Sequence, residues 1–239
     1  MSLSSAIVIV CVALFIGLKA LAAADVLSWD QAVSLLGLSC AGLVERHQFF
    51  QLVTAALLHA NITHLAFNML ALWMLGPDLE RTLGRRGYAL FSVVCAASAW
   101  TGFLLLDGGR GAIVCGYSGI IFGVLVAQAW FFPSRRIYIY GIFPLRMVHA
   151  ALILGGIELL LTVSETGSGI AHSAHVFGAA GALVYLGLGR VMQIGARGRT
   201  AVAAPAQPVR RFPDAETWVD SRVGLRDGPV VDAAEMIWD

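Results

Sequence analysis

Charge is what this 239-residue chain has least of. Asp, Glu, Lys and Arg together make up 13 % of it, against about a quarter in soluble domains. The formal net charge is +1, and the Arg residues are scattered rather than gathered in one interaction tail, so no nucleic-acid partner is indicated. Cysteine is scarce as well. Cys11, Cys40, Cys95 and Cys115 show no CxxC and no paired spacing, so neither a disulfide framework nor a cysteine zinc site is signalled. What fills the chain instead is apolar sequence, 58 % of all residues, in long blocks separated by short polar punctuation. That pattern belongs to a polytopic all-α membrane protein.

A crossing needs about 20 apolar residues to span a hydrocarbon core of about 30 Å. Ser4 to Ala24 meets this, and Lys19 near its end is placed to snorkel to an interface. The block is too long for a typical signal peptide and has no basic residues at its start, so it reads as a retained first helix. Asp25 to Gln51 is mixed and reads as a structured loop with some interfacial helix. Asn61 or Thr63 caps a second helix running to about Leu79, ending at Gly76-Pro77-Asp78 and "ERTLGRRG". A third helix covers about Tyr88 to Leu106. The fourth apolar block starts near Ser118 and ends at Phe132-Pro133, only about 21 Å at the helical rise. A helix this short has to start inside the membrane, in protein or in a water-filled cavity. A fifth helix is expected from about Pro144 to Val163 and a sixth from about Gly169 to Met192. Residues 193–239, rich in Ala, Pro and Arg at first and mixed in charge later, read as a flexible cytoplasmic tail.

Basic residues set the orientation. Arg81, Arg85 and Arg86 follow the second helix, Arg135, Arg136 and Arg146 separate the fourth and fifth, and Arg190, Arg197 and Arg199 follow the sixth. Only Arg46 and Arg110 fall in the opposite loops, so both termini are expected on the cytoplasmic side. An Arg-rich chain with no transit-like segment leans toward a bacterial inner membrane.

Four polar features sit where apolar residues would cost less: "HANITHLAFN", "GYSG", Glu158 and "AHSAH". Ionisable groups inside spans tend to face the bundle interior and are functional candidates. His64 and Asn68 are four apart and share a helix face, with His59 at the helix entrance. His172 and His175 are three apart on the sixth helix, where Gly178 and Gly181 flatten one side and allow close approach of another helix. Were the fourth and sixth helices pressed together, Ser118 at one N-terminus would meet a histidine one turn into the other. A serine hydroxyl becomes a nucleophile when a neighbouring base accepts its proton, and histidine titrates in the right range for that role. Asn68, His64 and the Ser118 backbone N–H are the available donors for a developing oxyanion.

Together these residues resemble the rhomboid family of intramembrane serine proteases. The match is His-x4-His-x3-Asn at His59, His64 and Asn68, then Gly-x-Ser-Gly at Gly116, Ser118 and Gly119, then Ala-His-x2-Gly at Ala174, His175 and Gly178. The resemblance spans roughly Ser4 to Met192 and implies a six-helix protease domain over residues 1–192 with a short fourth helix. It further implies that Ser118 is the nucleophile and His175 the general base, a dyad without a third acid. His64 and Asn68 take the oxyanion role, His59 a structural one, and Phe122 the place of an aromatic that packs on the catalytic histidine. The substrates implied are transmembrane proteins met within the lipid bilayer. No cofactor or metal is implied, and oligomeric state is left open.

Two departures stand out. Phe50-Gln51 occupies the place where the family often has Trp-Arg, which bears on the loop rather than the chemistry. The family's second glycine on the sixth helix falls at Ala182, beside Gly181. As an alternative, His59, His64, His172 and His175 could ligate a metal, but no carboxylate or cysteine completes that set at ligand-like spacing. His149 and Glu158 read as interhelical polar contacts.

Overall fold

The first apolar block folds as helix α1 (Leu3–Ala23), started by Ser2, whose side chain accepts a hydrogen bond from the Ser5 backbone N–H at 3.1 Å. The structure is a computed structural model describing residues 1–139, 143–164 and 171–203. Within it the chain is mostly helical, with four short strands. The chain divides into two units, Met1–Gln193 and Ile194–Asp239. Residues 204–239, most of the expected tail, lie outside the described residues, as do 169–170 at the expected start of the sixth helix.

The mixed segment after α1 contains a short helix α2 (Trp29–Leu36) opened by a capping box between Ser28 and Gln31, which satisfies two first-turn donors reciprocally. Trp29 packs edge-on against Phe15 of α1, with the Lys19 ammonium 3.6 Å above its ring. Strand β1 (Leu38–Ser39) then pairs antiparallel with β2 (Ile113–Val114). A π-helical turn at Ala41–Glu45 and helix α3 (Gln51–Leu57) follow. Gln51, where the family often has Arg, is fully buried. Its amide donates to the Leu35 carbonyl at 3.1 Å and accepts from the Ser39 N–H at 3.3 Å, so it ties α3 to the loop before it.

Of the two expected end signals, Gly76-Pro77-Asp78 does not stop the helix, whereas "ERTLGRRG" contains the glycine that breaks it. Helix α4 (Ile62–Leu106) runs through Pro77 and breaks only at Gly84, at φ 72° and ψ 161°, a backbone geometry open to glycine at no steric cost. Two arms result, each about 33 Å long at 1.5 Å per residue. The reason for the extension lies on α1. Gly76 presses on Ser4, where an added Cβ would lie 2.7 Å from the Ser4 Cβ. One turn later the buried Glu80 carboxylate accepts from the N–H groups of Leu3 (2.7 Å) and Ser4 (3.0 Å) and from Ser4 Oγ (3.1 Å). First-turn N–H groups have no partner inside their own helix, and a negative charge is favoured at that end. Glu80→Ala therefore leaves α1 without these acceptors. The expected loss is about 2–3 kcal/mol, read as a lower thermal midpoint in detergent.

Helix α5 (Ser118–Phe131) is 14 residues long, in line with the short fourth helix expected. After it the chain forms a hairpin that periodicity did not announce, β3 (Arg136–Ile139) against β4 (Phe143–Arg146). Pro144 consequently belongs to a strand, and helix α6 begins at Met147 and ends at Val163. Helix α7 spans His172–Ala203. By length and composition α1 and α4 are able to cross a membrane, while α5 and α6 are shorter apolar helices.

Helix α4 lies between α1 and α5, and α5 packs in turn on α6. Leu72, Tyr88, Phe91, Phe103 and Val124 are the centre of the core, all fully buried. Large apolar side chains such as Ile16, Trp73, Val93, Leu152 and Leu160 point outward. An outer surface this apolar fits lipid rather than water. Helix α7 packs closely through small residues. Ser98 of α4 occupies the space a Cβ would take at Gly181, and Phe177 lies over Gly102.

Candidate active site

Ser118 opens α5, where the helix leaves its first N–H groups without intrahelical partners. The turn before it depends on Gly116, at φ +116°. Its N–H donates to the Ala55 carbonyl of α3 at 2.8 Å, fixing the approach to the serine. The His64 ring fills the space beside Gly116, and a Cβ there would lie 2.6 Å from His64 Cε1.

The fourth and sixth expected helices, now α5 and α7, are in backbone contact. A Cβ on Gly178 would collide with the Gly119 carbonyl, and one on Gly119 would lie 2.7 Å from the Ala99 Cβ and 3.1 Å from the Ala174 carbonyl. This approach brings His175 Nε2 to 2.8 Å from Ser118 Oγ. The Phe122 ring, one turn after Ser118, stacks on the imidazole at 4.7 Å between centroids and 14° between planes. Both hydrogen-bonding residues are partly accessible, and the His175 side chain is 12 % exposed.

His64 of the first motif lies beside the same turn, against Gly116. Asn61 caps the helix by accepting from the His64 N–H at 2.8 Å. Asn68 is buried and donates one amide hydrogen to the His64 carbonyl at 2.8 Å. An amide carries two such hydrogens, and no acceptor for the second is found among the described residues. His59 is buried, with Nδ1 3.2 Å from the Leu57 carbonyl and its ring edge-on to His64 at 5.2 Å.

The chain matches the family model described as the Rhomboid domain over residues 46–190. The chain belongs to the rhomboid family. Among its relatives, a putative rhomboid protease YdcA of Bacillus subtilis is 29 % identical over 67 % of this chain and 75 % of its own length. The rhomboid protease GlpG of Serratia proteamaculans is 32 % identical over 55 % of this chain and 45 % of its own. The rhomboid protease GluP of Bacillus subtilis is 35 % identical over 39 % and 18 % respectively. The chain thus spans three quarters of the first relative and less than half of the other two.

One residue of this rhomboid site was visible in the sequence only as an interhelical polar group. Glu158 of α6 places Oε2 2.6 Å from His172 Nδ1 and 3.0 Å from His175 Nδ1. A carboxylate therefore does join the two histidines of α7, contrary to the spacing argument, and the three could together hold a metal ion. Its position inside an apolar run was the available signal, but nothing in the run names its partners. His149, by contrast, is exposed.

Proposed function

We propose that this rhomboid-family serine protease hydrolyses peptide bonds of transmembrane proteins, with Ser118 as nucleophile and His175 as general base. The observation that carries the reading is the 2.8 Å contact between Ser118 Oγ and His175 Nε2 at the start of a helix too short to cross a bilayer. Oγ attacks the substrate carbonyl carbon while its proton passes to Nε2. The oxyanion is held by the Ser118 N–H, the remaining Asn68 amide hydrogen and His64. His175 then gives its proton to the leaving amine as the C–N bond breaks. Water entering the cavity hydrolyses the acyl-enzyme, again through His175.

In this reading six helical segments make up the bundle, α1, the two arms of α4, α5, α6 and α7, and α5 starts inside the membrane rather than crossing it on its own. Residues 1–192 are the protease domain, and residues 193–239 are a cytoplasmic extension. Both termini face the cytoplasm of a bacterial inner membrane, following the Arg distribution. The active serine then opens toward the outer side, where a substrate helix unwinds.

The reading is tested by cleavage of a transmembrane reporter by the purified chain in proteoliposomes. Site-specific cleavage supports it, and an inert chain with a wild-type fold contradicts it. Asn68→Ala is expected to lower kcat by about 10²-fold, the cost of losing one oxyanion donor. An unchanged kcat removes Asn68 from that role.

A further inference from the structure

The Ser118–His175 contact imposes a condition on the far side of the imidazole. For Nε2 to accept the serine proton, the neutral ring must carry its own proton on Nδ1. When Nε2 takes the second proton, the ring becomes a cation in a low-dielectric site, which is costly without a partner. The Nδ1 atom is buried and has no aligned hydrogen-bond acceptor among the described residues. The carboxylate beside it is Glu158, with Oε2 3.0 Å away but off the N–H axis. That same oxygen is held from the other side by His172 Nδ1 at 2.6 Å. Catalytic hydrogen bonds are often poorly aligned without substrate and tighten when it binds. A small rotation of the ring or carboxylate completes this one.

We infer that Glu158 is a positioning residue of the reaction: its carboxylate holds His175 in the Nδ1–H tautomer and offsets the imidazolium charge, and His172 anchors that carboxylate. The inference rests on the reading of Ser118 and His175 given above. It adds Glu158 as a support behind the Ser118–His175 dyad that the family resemblance implies. Glu158 takes no proton at any step. The serine proton moves to Nε2 and from there to the leaving amine, while Nδ1 keeps its own. A metal on the same three side chains does not serve this chemistry. It would occupy the nitrogen that must hold the proton, and both N···O separations are hydrogen-bond lengths.

The test uses the full chain in proteoliposomes with a transmembrane reporter. Glu158→Gln keeps the shape of the side chain and removes its charge. Its kcat is expected to fall about 10²-fold with KM within about twofold of wild type, less than the about 10⁴-fold of carboxylate removal from serine-protease triads because Oε2 lies off the N–H axis. Glu158→Asp restores the charge and should recover part of the lost rate. A purely structural Glu158 would instead lower the thermal midpoint and leave kcat of the folded fraction intact, which overturns the inference. So does full activity in Glu158→Gln, or a wild-type rate lost to EDTA and restored by zinc. Should Glu158→Gln not fold, ¹⁵N-histidine NMR of the wild-type chain reads the tautomer of His175 directly. A protonated Nδ1 supports the inference and a protonated Nε2 overturns it. If the wild-type chain neither cleaves the reporter nor reacts with a fluorophosphonate, it is the assignment of Ser118 and His175 that fails. If the wild type reacts and Glu158→Gln reacts equally fast, only the role of Glu158 fails.

Discussion

Purified Ser118→Ala protein loses measurable cleavage of a transmembrane reporter, and His175→Ala protein does the same. Losing either member of a nucleophile–base pair in soluble serine proteases costs on the order of 10⁶-fold in kcat. A loss of at least about 10⁴-fold is expected here. The two variants differ in what they do to the fold. Ser118 is half-buried, and among the described residues its hydroxyl is hydrogen-bonded to His175 of α7. Its removal should stay within about 0.5 kcal/mol of wild-type stability. His175 carries the ring stacked on Phe122, so its removal should cost about 1–2 kcal/mol. Thermal unfolding in detergent separates these effects from the catalytic one. A Ser118→Ala protein that still cleaves removes the nucleophile from the account.

The second large effect comes from a residue that touches no substrate. Gly178→Ala places a methyl group against the Gly119 carbonyl, where no side chain fits. The backbones of α5 and α7 must separate, and the residues flanking that contact are Ser118 on one helix and His175 on the other. A displacement of about 1 Å in a catalytic pair costs about 10²-fold in rate, while overpacking of this kind costs about 1–3 kcal/mol in stability. The expected result is a folded protein with kcat reduced about 10²-fold. Gly187→Ala is the control on the same helix, because nothing lies within 4 Å of the Cβ it adds. It should keep wild-type activity. Equal rates in both variants would detach the glycine contact from the geometry of the site.

These two predictions rest on features of unequal visibility in the sequence. The polar groups stood out because each occupies a place where an apolar residue would be cheaper, and His64 with Asn68, or His175 with Gly178, sit at helical spacing. The shortness of α5 was legible from Phe132-Pro133, since proline restricts the residue before it and cannot extend a helix. The course of α4 was legible in part: "ERTLGRRG" contains the Gly84 break, but Pro77 looked like a stop where the chain stays helical, with Glu80 in place to cap α1. That requirement comes from a helix almost eighty residues away in the chain. The β3–β4 hairpin was hidden by its own apolar side chains, which merge with the following helix in any hydropathy reading. Glu158 shows the same limit at the site. Its cost in a membrane was evident from sequence, but its two histidine partners lie on another helix, and only the packing of α6 beside α7 joins them.

The most direct measurement of the central claim is mass spectrometry of the purified chain after treatment with a fluorophosphonate. The serine Oγ forms a bond to phosphorus, fluoride leaves, and the proton is taken by His175, so the reagent reports activation of the nucleophile without any knowledge of the natural substrate. One adduct is predicted, on Ser118 in the wild-type chain, with none in folded His175→Ala protein. An unmodified Ser118 in the wild type, or equal modification with and without His175, would contradict the assignment of the pair.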